Sequence, residues 1–186
     1  MSARYDGEWI ARLLDPARSF GGVDAAGFLE DTGLGFGMTV VDYGCGPGLL
    51  TLLAAHMVGA SGKVYGLDIH EDMVLLVNSR ANDAGFNNVT TFLNDGPESP
   101  LPDGVADLII CILVFHYQKA WSERQDLADD MGRLLKPGGC GVVVQWTEQV
   151  PSEDTVGLFA AAGLECDRPE LLSPDQYKIK FVKPTR

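Results

Sequence analysis

Val40-Val41-Asp42-Tyr43-Gly44-Cys45-Gly46-Pro47-Gly48-Leu49 reads as a buried strand that runs into a glycine-rich bend and out into a helix. Such a bend brings bare backbone and the free N–H groups of a helix start up to a ligand, or serves only a chain reversal that needs positive φ. A dinucleotide fingerprint, G-x-G-x-x-G, would place its third glycine at position 49, where Leu49 stands. The spacing here is G-x-G-x-G, which disfavours a nicotinamide-dependent oxidoreductase.

Outward from this bend, β-branched runs alternate with longer helical segments. Expected strands are Met38 to Tyr43, Lys63 to Asp68, Val89 to Asn94, Val105 to Ile112 and Gly141 to Trp146. Expected helices are Leu49 to Val58, Glu71 to Ala84 stopped by Gly85, and Ser122 to Leu135, opened by a Ser122/Gln125 capping pattern and stopped by Pro137 and Gly138. This alternation predicts an α/β fold, a parallel sheet covered by helices on both faces. The run Leu108 to Phe115 is apolar on both faces and should be a central strand. Beyond it come a short helix, Glu153 to Ala162, and two candidate strands, Leu164 to Asp167 and Tyr177 to Val182. The second alternates as an antiparallel edge strand would. The ten residues Asp95 to Gly104 hold three prolines, which forbid a long helix there. In a doubly wound sheet this link spans a diagonal of about 24 Å, within the roughly 33 Å reach of ten extended residues. Before the bend, Gly7 to Asp15 forms one candidate amphipathic helix and Ala25 to Glu30 a second.

The chain has 186 residues, 46% of them hydrophobic, which suits one compact domain. Its net charge of −12 disfavours docking to nucleic acid, whose affinity is supplied by Lys and Arg. The longest apolar run has eight residues, against the roughly 20 of a membrane span. Arg4, Asp6, Glu8 and Arg12 interrupt any secretory signal, so a cytoplasmic location is expected. Cys45, Cys111, Cys140 and Cys166 have neither CxxC nor metal-ligand spacing and read as reduced thiols. No metal site is expected.

Two further acids end strands. Asp68 closes the second expected strand, where a carboxylate reaches the hydroxyls of a ribose or caps the following helix. Asp95-Gly96 follows the third, as an acceptor for the exocyclic amine of a base or as an ordinary Asp-Gly turn. With the glycine bend they point to one crevice at the carboxyl ends of the strands.

At these residues the chain resembles the class I S-adenosylmethionine-dependent methyltransferases, in particular the small-molecule branch related to type-11 and ubiquinone-pathway enzymes. The matching stretches are VVDYGCGPG (40–48), GLDI (66–69), ND (94–95), ADLIICILVFHY (106–117) and RLLKPGG (133–139). The resemblance implies a Rossmann-like doubly wound sheet of seven strands in the order 3-2-1-4-5-7-6 with the last antiparallel. It also implies one methyltransferase domain, with residues 1–35 as an N-terminal lid segment and 36–183 as the core. It places Gly44, Gly46 and Gly48 under the methionine part of the cofactor and Asp42 near its amino group. Asp68 becomes the ribose ligand, Ile69 an adenine wall, Asp95 and Gly96 the adenine-edge contacts, and Cys111 a backbone contact to the amine. Tyr43, in place of the usual aliphatic residue, and Asn94, in place of a common glycine, depart from the pattern without removing a polar contact.

The implied activity is transfer of a methyl group from S-adenosyl-L-methionine to an O, N or C nucleophile of a small molecule, leaving S-adenosyl-L-homocysteine. Three acids around a sulfonium favour the cation over its neutral product. His116 is the candidate base if the acceptor must lose a proton, the alternative being wall packing beside Phe115 and Tyr117. His70 reads as a loop residue, His56 as a solvated helix position and Trp121 as a packing residue. Tyr5 and Trp9 either close over the site or lie on a surface helix. A non-catalytic S-adenosylmethionine-binding or regulatory subunit is the alternative from another class.

Overall fold

The computed structural model describes residues 24–185. The expected helix Gly7 to Asp15, with Tyr5 and Trp9, lies outside them. The chain divides at Leu93/Asn94 into two compact units.

In the first unit, Asp24 caps α1 (Ala25–Asp31) by accepting from the N–H groups of Ala26 and Gly27. β1 (Thr39–Tyr43), β2 (Lys63–Asp68) and β3 (Val89–Leu93) pair in parallel in the order β3-β2-β1. The right-handed crossover helices expected of parallel pairs are α2 (Leu49–Val58) and α3 (Glu71–Asp83). α2 is apolar nearly all round, and Leu50, Leu52, Leu53, Ala54, Ala55 and Val58 are all buried. Each fully buried leucine contributes roughly 1.5–3 kcal/mol. α2 therefore anchors the bend that precedes it.

In the second unit β4 (Ala106–Ile112) is buried on both faces, with Leu108, Ile109, Ile110 and Cys111 at most 1% exposed. That matches the central strand expected from its unbroken apolar run. A 3₁₀ turn (Phe115–Tyr117) and α4 (Trp121–Leu134) lead to β5 (Leu135–Trp146), then α5 (Ser152–Ala161), β6 (Glu165–Cys166), β7 (Glu170–Ser173) and β8 (Gln176–Val182). β5 is parallel to β4 and antiparallel to β8, and β6 pairs with β8, giving β4-β5-β8-β6. Taken unit by unit, β3-β2-β1 and β4-β5-β8-β6, with β7 paired to β8 off that row, have the mostly parallel order with an antiparallel edge expected of a Rossmann-like fold.

Four details correct the sequence expectations. Among the described residues there are eight strands rather than seven, because Glu170–Ser173 folds back on β8 as a hairpin around Pro174-Asp175; the expected seventh strand is β8. β5 starts at Leu135, since Leu135 pairs with Ala106 and Cys140 with Leu108, and Lys136-Pro137-Gly138-Gly139 bulges between them. The start of α4 is held by Glu123, whose carboxylate accepts from the N–H groups of Lys119 and Ala120, both at 3.1 Å, and not by Ser122 with Gln125. Trp121 opens that helix and is half exposed rather than packed.

The proline-rich link is free of helix, as expected, and has a clamp that no local pattern announces. Arg133 of α4 donates from Nη1 to the Leu101 carbonyl (2.7 Å) and Asp103 (2.8 Å), and from Nη2 to the Ser99 carbonyl (3.0 Å) and Asp130 (2.6 Å). Asp130, only 3% exposed, also accepts from the Ser99 N–H. One guanidinium thus fixes the path of the segment that begins with Asp95-Gly96.

Candidate functional site

The bend after β1 is held by backbone alone on one side and by a carboxylate on the other. The N–H groups of Gly44 and Cys45 both donate to the Leu67 carbonyl at 2.8 Å. The Gly46 N–H donates to Asp68 Oδ2 at 2.8 Å. Gly44, Gly46 and Gly48 have φ of 80°, 49° and 87°, the left-handed region that glycine enters at little cost. A Cβ on Gly48 would lie 2.7 Å from Val77 Cγ2 of α3, whereas one on Gly46 would meet nothing within 4 Å. The bend therefore packs α3 at Gly48 and presents open backbone at Gly46. The Cys45 thiol is buried, and burial with the charges of Asp42 and Asp68 pushes its pKa up, so it stays neutral and inert.

Asp68 ends β2 and is 8% exposed. Its Oδ1 accepts from the His70 N–H at 2.9 Å and lies 3.2 Å from His70 Nδ1. It is not the cap of α3, whose N-cap is His70, so the capping alternative falls. An ionised carboxylate has about four acceptor positions, so acceptor capacity remains beyond the bonds to Gly46 and His70. Ile69, 50% exposed, follows it, and Leu93, in register with Asp68 on β3, is 44% exposed. Two apolar side chains thus flank the carboxylate.

Asp42 is 3% exposed and accepts from the Thr51 hydroxyl at 2.6 Å. Burial raises its carboxyl from 3.8 to about 6; the Thr51 hydrogen bond opposes this and the charge of Asp68 adds to it. Such a carboxylate gains from a cation brought beside it. The folded protein holds this proton up to about pH 6 and the unfolded chain only to 3.8, so the stabilisation is complete below the lower value and lost as pH rises through the upper. The ligand-free Asp42→Asn protein is therefore expected to exceed the wild type at pH 7.5 by on the order of 3 kcal/mol. In urea unfolding that advantage should vanish towards pH 4; a gain equal at both pH values would refute this account.

The first unit thus brings together Asp42, Gly44, Gly46, Gly48, Asp68 and Ile69. Asp95, Gly96, Cys111 and His116 belong to the second unit. Asp95 and Gly96 are exposed at the start of the clamped link. Cys111 is wholly buried in β4, opposite Val143. His116 sits in the 3₁₀ turn, its ring centroid 4.1 Å from that of Tyr117. His56 is exposed on α2, as expected. Thr51, Leu93 and Arg80, whose guanidinium donates to the Pro47 carbonyl of the bend, were not singled out by sequence. Thr51 could have been, as a hydroxyl in an otherwise apolar first turn.

The bend, with an open backbone face and two buried acids, suits a ligand that carries both a cation and a ribose. Residues 40–139 match the methyltransferase domain family. A ubiquinone/menaquinone biosynthesis C-methyltransferase from Pseudomonas fluorescens is 31% identical over 121 residues, covering 64% of this chain and 46% of that one. A nocamycin O-methyltransferase from Saccharothrix syringae is 32% identical over 103 residues, covering 55% and 36%. The chain thus spans about half the length, or less, of the curated relatives it matches. The crystal structure of an S-adenosylmethionine-dependent methyltransferase from Aquifex aeolicus superposes with a TM-score of 0.79 at 27% identity, over 97% of this chain and 100% of that one. With glycine bend, strand-end acids and strand order all in agreement, this chain belongs to the methyltransferase domain family, the class I S-adenosylmethionine-dependent methyltransferases.

Proposed function

We propose that the protein transfers the methyl group of S-adenosyl-L-methionine to a small-molecule acceptor, its two units working as a single methyltransferase domain. The observation that carries this reading is the buried Asp68 carboxylate, braced by the Gly46 and His70 N–H groups and flanked by exposed Ile69 and Leu93. When bound, S-adenosylmethionine supplies a sulfonium methyl: a bond forms from the acceptor atom to that carbon, the carbon–sulfur bond breaks, and neutral S-adenosylhomocysteine leaves. Asp68 binds the ribose hydroxyls, Ile69 covers a face of the adenine, and the backbone at Gly44, Gly46 and Gly48 lies under the methionine part. Asp42 favours the ammonium end, and affinity should fall as its carboxyl protonates below about pH 6. By resemblance, Asp95 and Gly96 serve the adenine edge and the Cys111 backbone serves the amine. His116 accepts the acceptor's proton where one must be lost. Alignment of the reacting atoms can supply much of the rate, on the order of 7 kcal/mol in well-oriented cases.

The names of the relatives, a quinone-pathway C-methyltransferase and an O-methyltransferase, support a small organic acceptor. The short link 147–151 between β5 and α5 supports an open cleft. The excess of acids disfavours nucleic acid, and no described helix is long and apolar enough to cross a membrane. A cytoplasmic enzyme is consistent with this.

Asp68→Ala is expected to weaken S-adenosylhomocysteine binding about tenfold or more, because charge-assisted hydrogen bonds contribute roughly 1.5–3 kcal/mol each. Titration calorimetry measures it, and unchanged affinity would remove Asp68 from the site. S-adenosylmethionine at about 100 times its dissociation constant should stabilise the protein by about 2.7 kcal/mol, with no effect from NAD. Release of S-adenosylhomocysteine with a panel of phenols, amines and quinones separates an enzyme from a non-catalytic binder.

A further inference from the structure

Beyond β4 the chain passes through Leu113, whose φ of 57° is the one positive value among the described non-glycine residues. Its N–H still donates to the Val144 carbonyl at 2.8 Å, so the ladder runs one residue past the strand before the chain turns. A side-chain-bearing residue held there costs on the order of 1–3 kcal/mol and persists only where its surroundings over-determine it. The result of this turn is a 3₁₀ segment packed on β5. Phe115 is buried edge-on to Phe159, their centroids 5.8 Å apart, and His116 is carried up to Gln145.

Gln145 is fully buried at the end of a strand whose preceding residues are Val142, Val143 and Val144. Both of its amide atoms and Nδ1 of His116 are buried without a hydrogen bond of standard geometry among the described residues. The amide nevertheless stands near enough to the imidazole to favour its protonated form. Burying an incompletely bonded amide costs about 1–3 kcal/mol. A leucine would fill the same space without that cost, so the polar pair is an expense that packing does not explain.

We propose that Gln145 is a positioning residue for His116: its Oε1 faces the Nδ1 edge and selects the Nδ1–H tautomer, leaving the Nε2 lone pair turned outward. In histidine, the hydrogen bond made by one ring nitrogen decides the protonation of the other. The use of that lone pair, to take the proton released as the acceptor is methylated, rests on the reading of His116 as the base. The groups acting on the ring are Gln145 from β5, Arg124 from α4 and the neighbouring Tyr117. Burial, foremost, and the Arg124 charge lower the imidazole below 6.5 while Gln145 opposes them, so the ring is neutral and able to accept a proton at pH 7.

Nitrogen-15 NMR of the ring nitrogens in the free protein tests the proposal, with His116→Ala assigning the signal among three histidines. The wild type should show Nδ1 protonated and Nε2 bare, a result that needs no variant to fold. Gln145→Leu should shift the ring towards Nε2–H and lower its titration midpoint, and Gln145→Glu should raise that midpoint by about one unit or more. An Nε2–H ring in the wild type, or a midpoint unmoved in both variants, overturns the assignment. Methyl transfer to the phenol, amine and quinone panel tests the base separately. There Gln145→Leu should lower kcat more than it changes KM. If His116→Ala keeps full turnover from roughly pH 6 to 9 while the tautomer responds as described, the base reading fails and the positioning by Gln145 stands.

Discussion

Gly48→Ala is expected to cost about 2–5 kcal/mol of stability and to weaken S-adenosylhomocysteine binding at least about tenfold. Two effects add. The residue sits at φ 87°, which penalises any L side chain by about 1–2 kcal/mol. The new methyl would also lie 2.7 Å and 3.1 Å from the two methyls of Val77. Overpacking of this kind costs typically 1–3 kcal/mol, and here the strain is relieved only by moving the bend or α3. The Gly48 N–H closes the bend onto the Cys45 carbonyl at 3.0 Å, so the backbone proposed to cradle the cofactor moves with it. Adding Val77→Ala should restore part of the loss by removing the clash while the φ penalty remains. Urea unfolding of the single and double variants measures both parts, and a loss below about 1 kcal/mol for Gly48→Ala would mean that the bend is slack.

Arg133→Met is expected to destabilise by a similar amount, about 3–5 kcal/mol, because it strips the guanidinium from a carboxylate that is 3% exposed. The methionine keeps the aliphatic stem but none of the donors to Ser99, Leu101, Asp103 and Asp130. Arg133→Lys should recover only a minor part, since a single ammonium cannot reproduce a fork of donors. In the Arg133→Met/Asp130→Leu pair the buried charge is gone as well, so the double variant should be more stable than Arg133→Met alone. Unfolding curves for the wild type, Arg133→Met, Asp130→Leu and the double variant decide it; additive losses would show that Arg133 and Asp130 act independently. Because the clamped link begins with Asp95-Gly96, Arg133→Lys should also weaken cofactor binding in calorimetry by more than its modest loss of stability suggests.

These two residues mark the limits of what linear order reveals. Gly48 stood out because a strand, a bend and a helix start are neighbours along the chain, and their periods and glycine spacing are short-range properties. For the same reason β1, β2, α2 and α3 fall within a residue of their expected bounds. Asp68 was legible as the acid that ends a strand, though its bond to Gly46 bridges 22 positions and was not. Arg133 stands in the sequence only as part of the matching stretch RLLKPGG, and its clamp is not legible there, since its partners in the link lie about 30 positions upstream and carry no periodic signal. The β7 hairpin escaped because its four residues before a proline, two exposed and then two partly buried, show no alternation. At the start of α4 the Ser122/Gln125 pattern points to the wrong cap, because the Glu123 carboxylate one residue on reaches the Ala120 N–H, which only geometry shows.

The sequence by itself determined the alternating architecture and the strand-end acids, because hydrophobic period and turn chemistry act over a few residues at a time, while the cofactor class followed from the resemblance to a family. Only the tertiary structure decided the protonation of Asp42, the clamp on the proline-rich link and the meeting of Gln145 with His116. Each of these depends on burial or on a distance between residues remote along the chain, and both quantities come into existence only when the sheet is assembled.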